Sequence, residues 1–176
     1  MTGVQTCALP ISNALLVLAP RHPEATDQMV ALRDLLKQSH LPTVFRSEVA
    51  DAPIEAPTAC LVLDTMGELR DFYAAATVAH VGVDHNVLEP LGFGKPVTVQ
   101  PGWNTTYPSY PVYRLLMDSK TLIAITTADQ LSENWLNLID NSDRYRESIV
   151  TTSNTLSSLR GAVAKHMALI APLPLF

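Results

Sequence analysis

Six short apolar runs set the layout of the chain: Ala14–Ala19, Thr43–Arg46, Ala59–Leu63, Val78–Gly82, Pro96–Val99 and Leu122–Ile125. The first and third lack polar alternation, as strands covered on both faces do. Between the first two, Met29, Leu32, Leu35 and Leu36 recur at helical spacing. An amphipathic helix is predicted over 24–39, with Pro23 suited to its first turn. Further helices are predicted from Asp64 to Ala76, just after Asn86, over Val112–Asp118 and over Ala128–Ile139. Most of Ser142–Ile170 reads as helical too, with Leu156, Leu159, Val163 and Met167 on one face. The acidic, proline-interrupted stretch Ser47–Pro57 reads as a loop, and Gln100–Pro111, rich in Pro, Tyr and Asn, as an exposed one. Strands alternating with helices predict an α/β fold, a doubly wound parallel sheet with right-handed connections in a single domain.

Composition narrows the classes. The chain has 176 residues, 47% of them apolar and 16% charged, which is globular and long enough for a full core. A net charge of −5 argues against a non-specific nucleic-acid binder, which would carry a basic excess. No apolar run approaches the roughly 20 residues of a bilayer span. Cys7 and Cys60 are too few and too ill-spaced for a disulfide framework or a zinc site, so a reduced, cytoplasmic setting is expected. Residues 1–12 stand apart. Gln5 to Ile11 read as the in-frame translation of a common sequencing adapter, so 1–12 are expected to be a non-native leader and 13–176 the domain. The natural protein is then expected to begin upstream.

Three polar clusters each follow a predicted strand: Pro20-Arg21-His22, Thr65-Met66-Gly67-Glu68 and Asp84-His85-Asn86-Val87-Leu88-Glu89. In a parallel sheet all three are expected to meet at the edge where ligands bind. Arg21 is a cation able to grip phosphate bidentately. Gly67 allows a backbone N–H to approach a ligand. Asn86 supplies a donor and an acceptor, and helix starts favour anions. Glu89 suits the two hydroxyls of a ribose better than a phosphate, because two anions repel. Each cluster also has a plain structural reading. Thr65-x-x-Glu68 is a capping box and Asn86-x-x-Glu89 nearly one. Arg21 alone is a surface cation, His80 a core or edge histidine, and His85 either a general base beside Asp84 or a residue that shapes the turn. His22, His40 and His166 lack metal-ligand spacing. No nucleophile elbow, P-loop or Gly-x-Gly-x-x-Gly is present.

Taken in order, Ala19-Pro20-Arg21-His22-Pro23-Glu24, Asp64-Thr65-Met66-Gly67-Glu68-Leu69, His85-Asn86-Val87-Leu88-Glu89-Pro90 and Phe93-Gly94-Lys95-Pro96-Val97 resemble the transferases of 3-deoxy-D-manno-octulosonic acid (Kdo) in lipopolysaccharide synthesis. The resemblance implies the carboxyl-terminal, Rossmann-like half of a glycosyltransferase-B enzyme, which binds CMP-Kdo. It puts the CMP contacts on Pro20 and Arg21, on Met66, Gly67 and Glu68, and on Asn86, Val87, Leu88 and Glu89. It implies no metal or other cofactor, and a lipid A precursor as acceptor at the cytoplasmic face of the bacterial inner membrane, with peripheral association of the intact enzyme. The family's catalytic glutamate lies in the other half, so this chain is expected to carry no catalytic residue and to be inactive alone. Two stretches depart from the family pattern. Val81-Gly82-Val83-Asp84 replaces a glycine-rich loop, and the Trp103–Tyr113 segment has its own composition. A UDP-sugar-dependent domain of the same architecture and a non-enzymatic nucleotide-binding module remain alternatives.

Overall fold

The computed structural model of the chain describes residues 14–49, 52–55, 57–161, 164 and 167–169. The expected leader over 1–12, Cys7, Val163 and His166 lie outside the described residues. Two compact units divide the chain. The first runs to Ala76 and takes in Thr127–Glu133; the second comprises Thr77–Thr126 and the chain from Asn134 on.

The first unit is built on three parallel strands, β1 (Leu16–Leu18), β2 (Thr43–Phe45) and β3 (Cys60–Val62), in the order β1-β3-β2. Cys60 faces Leu16 on one side and Thr43 on the other. The continuous apolar run of β3 fits this central place, where all three residues are 0% exposed. The outer strands β1 and β2 are only partly buried. Parallel strands need a crossover connection, and helix α1 (Thr26–Gln38) makes the one between the outer strands β1 and β2. Its Met29 and Leu36 form a core with Phe45, Cys60 and Val62, flanked by Leu16, Leu18, Leu32 and Leu41. The helix starts three residues beyond Pro23, which sits in a turn closed by Ala25 N–H donating to His22 O at 3.0 Å. Pro23 therefore precedes the helix instead of occupying its first turn.

A short helix α2 (Arg46–Val49) opens the stretch read as loop from the sequence. It has no buried residues; its polar side chains hold it to elements distant in sequence. Helix α3 (Leu69–Ala75) follows β3 after the connection 63–68 and ends one residue before the expected Ala76.

The second unit also has three parallel strands, β4 (Ala79–Val81), β5 (Val97–Val99) and β6 (Leu122–Ala124), but here they lie in sequence order, β4-β5-β6. Again the middle strand is wholly buried. Helices α4 (Leu88–Gly92) and α5 (Tyr110–Asp118) connect the strands. Helix α6 (Ala128–Asp140) begins in the first unit's share of the chain, and α7 (Ser142–Leu159) ends the described elements. Leu91, Leu116 and Leu138 are almost fully buried. Asn141 caps α7 by accepting from the N–H groups of Asp143 and Arg144, which satisfies two donors left open at a helix start. The α7 helix is fastened by Tyr145 Oη donating to Thr77 O at 3.1 Å and by Thr121 donating to Thr155 at 2.9 Å. No helix among the described residues is long and apolar enough to cross a membrane.

The strands and helices are those of the all-parallel α/β class read from the sequence. They appear as two three-stranded ladders, one in each unit.

Candidate functional site

In the first unit, β1 and β3 are parallel neighbours, so the chain leaves both at the same edge. Leu63 N–H donates to Leu18 O at 2.8 Å and carries the pairing one step further. Beyond it come Pro20-Arg21 on one strand and Asp64–Glu68 on the other. Pro20 is half-buried and Arg21 exposed, and no hydrogen bond or ion pair engages Arg21 among the described residues. Two of the three expected clusters thus share one edge.

The charges behind that edge are paired with one another. Arg46, the first residue after β2, donates from Nε to Glu68 Oε1 at 2.8 Å, while the Thr65 hydroxyl donates to Glu68 Oε2. The Thr65 bond first, and then the Arg46 bond, hold the Glu68 carboxyl below the usual carboxylate range. Asp64 accepts from Ser47 N at 2.9 Å and from Ser47 Oγ at 2.6 Å. Arg33 of α1 lies 3.5 Å over the Phe45 ring, donates to Glu48 at 2.7 Å and reaches to 3.9 Å from Asp64. This network explains α2, whose residues Arg46, Ser47 and Glu48 are each tied to a residue at least 15 positions away.

The Thr65-x-x-Glu68 pattern is not a capping box here. Glu68 itself is the N-cap of α3, in a helical conformation and with no side-chain cap bond. Thr65 and Glu68 bond to each other's side chains, and both Glu68 oxygens are engaged inside the protein. The segment therefore offers a ligand its backbone more than its carboxylate. Gly67 sits at φ +93° with open space around the place of a Cβ, so its conformation, not crowding, requires glycine. Met66 is 81% exposed.

The third cluster lies in the second unit, after β4. Asp84 takes φ +61°, the left-handed region, which Asp and Asn tolerate better than most residues. Its Oδ1 accepts from Asn104 N–H at 2.8 Å, pinning the loop after β5 to the turn after β4. Asn86 Oδ1 accepts from Leu88 N–H at 3.1 Å, an Asx turn in place of the reciprocal bond of a capping box. Val87 is the N-cap of α4 and is buried at 4% exposure, so it contributes packing and backbone. Leu88 is exposed and Glu89 half-buried in the first turn.

Gln100–Pro111 is exposed as its composition predicts, save for Trp103 and the half-buried Tyr110. Trp103 is buried and stacks on Tyr113 of α5, with ring centres 4.2 Å apart and planes within 4°. Burial, with the neighbouring Tyr110 second, pushes the Tyr113 phenol up. Between this pair and the Asp84–Leu88 turn lies a pocket of ≈ 350 Å³, to which Ser109 and Val112 also contribute. Glu89 does not line it.

His80 is half-buried on β4, with Nδ1 3.0 Å from Thr98 Oγ1 on the adjacent strand. Desolvation lowers its pKa. It is the edge-of-core histidine that its place in a strand implies. Arg33, Arg46, Ser47, Trp103, Ser109, Val112 and Tyr113 were not singled out by the motifs. Arg46 and Ser47 had a legible signal: they are polar residues directly after a strand, like the three clusters that were found.

No family model matches the chain. It is 30% identical over 167 residues to the 3-deoxy-D-manno-octulosonic acid transferase of Haemophilus influenzae, a match that covers 91% of this chain and 37% of that protein. It is also 30% identical over 93 residues to a bifunctional glycosyltransferase/methyltransferase of Fusobacterium nucleatum, over 49% of this chain and 14% of that one. The chain thus spans well under half the length of these relatives. Among solved structures it is similar to the C-terminal CMP-Kdo binding domain of WaaA from Acinetobacter baumannii. That likeness has a TM-score of 0.70 and 25% identity, over 81% of this chain and 73% of that one.

Proposed function

We propose that the chain, which is similar to a Kdo transferase over part of that protein's length, forms the part of such an enzyme that holds the sugar-nucleotide donor, CMP-Kdo. What carries the reading is the position of the matched segments. Each follows a strand at the carboxyl edge of its sheet, and Pro20-Arg21 and Met66-Gly67-Glu68 follow the hydrogen-bonded neighbours β1 and β3. Ligands of parallel α/β sheets bind at that edge.

Each residue has a role suited to its surroundings. Arg21, exposed and unengaged among the described residues, pairs with the phosphate and stabilises the CMP that departs on transfer. Pro20 fixes the backbone that presents it. Met66 and Gly67 offer main-chain groups, from a loop that Glu68 anchors through Thr65 and Arg46. Asn86 and the start of α4, through Val87 and Leu88, offer polar and backbone contacts. Glu89 takes the ribose hydroxyls. In the intact enzyme the sugar passes to a lipid A precursor at the cytoplasmic face of the inner membrane, with peripheral association through parts outside this stretch.

Calorimetric titration with CMP, UMP and GMP tests the assignment. CMP is expected to bind most tightly. Arg21→Ala and Glu89→Ala each weaken it by roughly 10- to 100-fold, the scale of a lost hydrogen bond to a charged group. A preference for UMP would transfer the reading to a UDP-sugar donor. Absence of binding by well-folded protein would leave a non-enzymatic module.

A further inference from the structure

Ser47 and Asp64 have no role in the assignment above, and Arg46 enters it only through Glu68. We propose that Arg46 and Ser47, the first two residues of α2, are positioning residues for the Met66–Gly67 backbone. They clasp its loop at both ends, Ser47 through Asp64 and Arg46 through Glu68, and hold it in its binding shape before a nucleotide arrives. The inference rests on the reading of the chain as a nucleotide binder and adds what keeps that loop ordered.

Geometry is the first argument. At one end of the loop, Ser47 gives both its N–H, at 2.9 Å, and its hydroxyl, at 2.6 Å, to the two oxygens of Asp64. The second distance is that of a hydroxyl on a carboxylate, among the stronger hydrogen bonds. At the other end, Arg46 Nε donates to Glu68 Oε1 at 2.8 Å. Two adjacent residues thus hold the first and last residues of a loop that all lie in one unit. Between the two anchors, Met66 is 81% exposed and Gly67 stands at φ +93° with open space about it. Arg33 backs the clasp from α1 by donating to Glu48 at 2.7 Å. The second argument is what the clasp does not hold. Helix α2 buries no residue, and partly exposed pairs of this kind add little to global stability. Their effect falls on the loop. A loop ordered beforehand spares the ligand the entropy cost of ordering it on binding.

The full chain is titrated with CMP by calorimetry, and amide exchange is followed by NMR in the ligand-free protein. Arg46→Gln and Ser47→Ala are each expected to weaken CMP roughly three- to tenfold, the scale of ordering part of a loop at the moment of binding. Exchange at Met66 and Gly67 rises severalfold in both variants, while Leu61, in the middle of β3, exchanges as in the parent. Ser47→Thr, which keeps the hydroxyl, restores both readings. Ser47→Ala serves alone if Arg46→Gln does not fold. Unchanged CMP affinity in the folded variants overturns the positioning role while the nucleotide reading stands. Exchange that quickens equally at Leu61 overturns it too, because the bonds would then serve the fold as a whole. Failure of the folded parent to bind CMP overturns the nucleotide reading, and the positioning role with it.

Discussion

Each unit has a three-stranded parallel sheet with a fully buried middle strand, and the two hold their loops in different ways. At the edge of the first unit, charge is met by charge. Arg46 pairs with Glu68, Arg33 with Glu48, and Asp64 takes both groups of Ser47. The ionised side chains are absorbed in shaping the loops, and the outward face is left to Arg21 and to backbone. In the second unit one carboxylate, Asp84, holds one N–H of the next loop, and the Trp103–Tyr113 stack ties that loop to α5. A cavity lies between the turn and the ring pair. A network of short-reach polar bonds fixes the course of the loops, whereas a ring stack makes a wall.

The strongest way to break this contrast is to remove the wall. Trp103→Ala is expected to cost about 3–5 kcal/mol, the usual range for deleting a buried tryptophan. Leu61→Ala, in the centre of β3, should cost about 2–5 kcal/mol. Urea melts measure both. Only the Trp103 change should also abolish the near-ultraviolet dichroism of the stacked rings, and its survival would show that the stack does not organise the loop.

A smaller effect is expected at the pin. Asp84→Ala loses the bond to Asn104 N–H and strains a left-handed residue, for about 1–2 kcal/mol. Asp84→Asn keeps an acceptor and tolerates that conformation, so it should stay within about 0.5 kcal/mol of the parent. Equal losses in the two variants would mean that charge, not geometry, does the holding.

The smallest effect sharpens the comparison through pH. Burial lowers the pKa of His80 from 6.5, so the unfolded chain binds its proton more readily than the folded one. Stability then falls as pH drops through about 6.5 and levels off below the folded value. Glu68 acts with the same sign at lower pH. Its depressed folded pKa contributes stability above the ordinary carboxylate value, which is lost as pH falls through the folded value. Melting curves from about pH 7.5 to pH 5.5 should slope downward in the parent and flatten in His80→Gln. An unchanged slope in the variant would assign the titration elsewhere.

Much of the scaffold was legible before any coordinates, and the misses have local causes. Central strands announce themselves: β3 and β5 are covered on both faces, and their apolar runs say so. Helix α1 shows its buried stripe through Met29 and Leu36. Helix α2 was hidden because its four residues bury nothing, and its support comes from Arg33, Asp64 and Glu68. The burial of Trp103 does not show in the composition of its loop, rich in Pro, Tyr and Asn, because its partner Tyr113 lies ten residues on, in a helix. Thr65 and Glu68 had the spacing of a capping box and adopted a side-chain pair instead, because Arg46 competes for the carboxylate.

By itself the sequence determined the order of the strands and of every helix but α2, the polar loops after β1, β3 and β4, and the resemblance those loops carry. Periodicity and strand-end chemistry are properties of near neighbours in the chain, so they can be read along it. Tertiary structure alone decided that Glu68 turns inward to Arg46, that Asp84 fastens Asn104, and that Trp103 and Tyr113 close to wall a pocket. Those outcomes depend on which side chains meet across 10 to 22 positions of sequence, where a hydrogen bond or a ring contact has a direction that no linear pattern records.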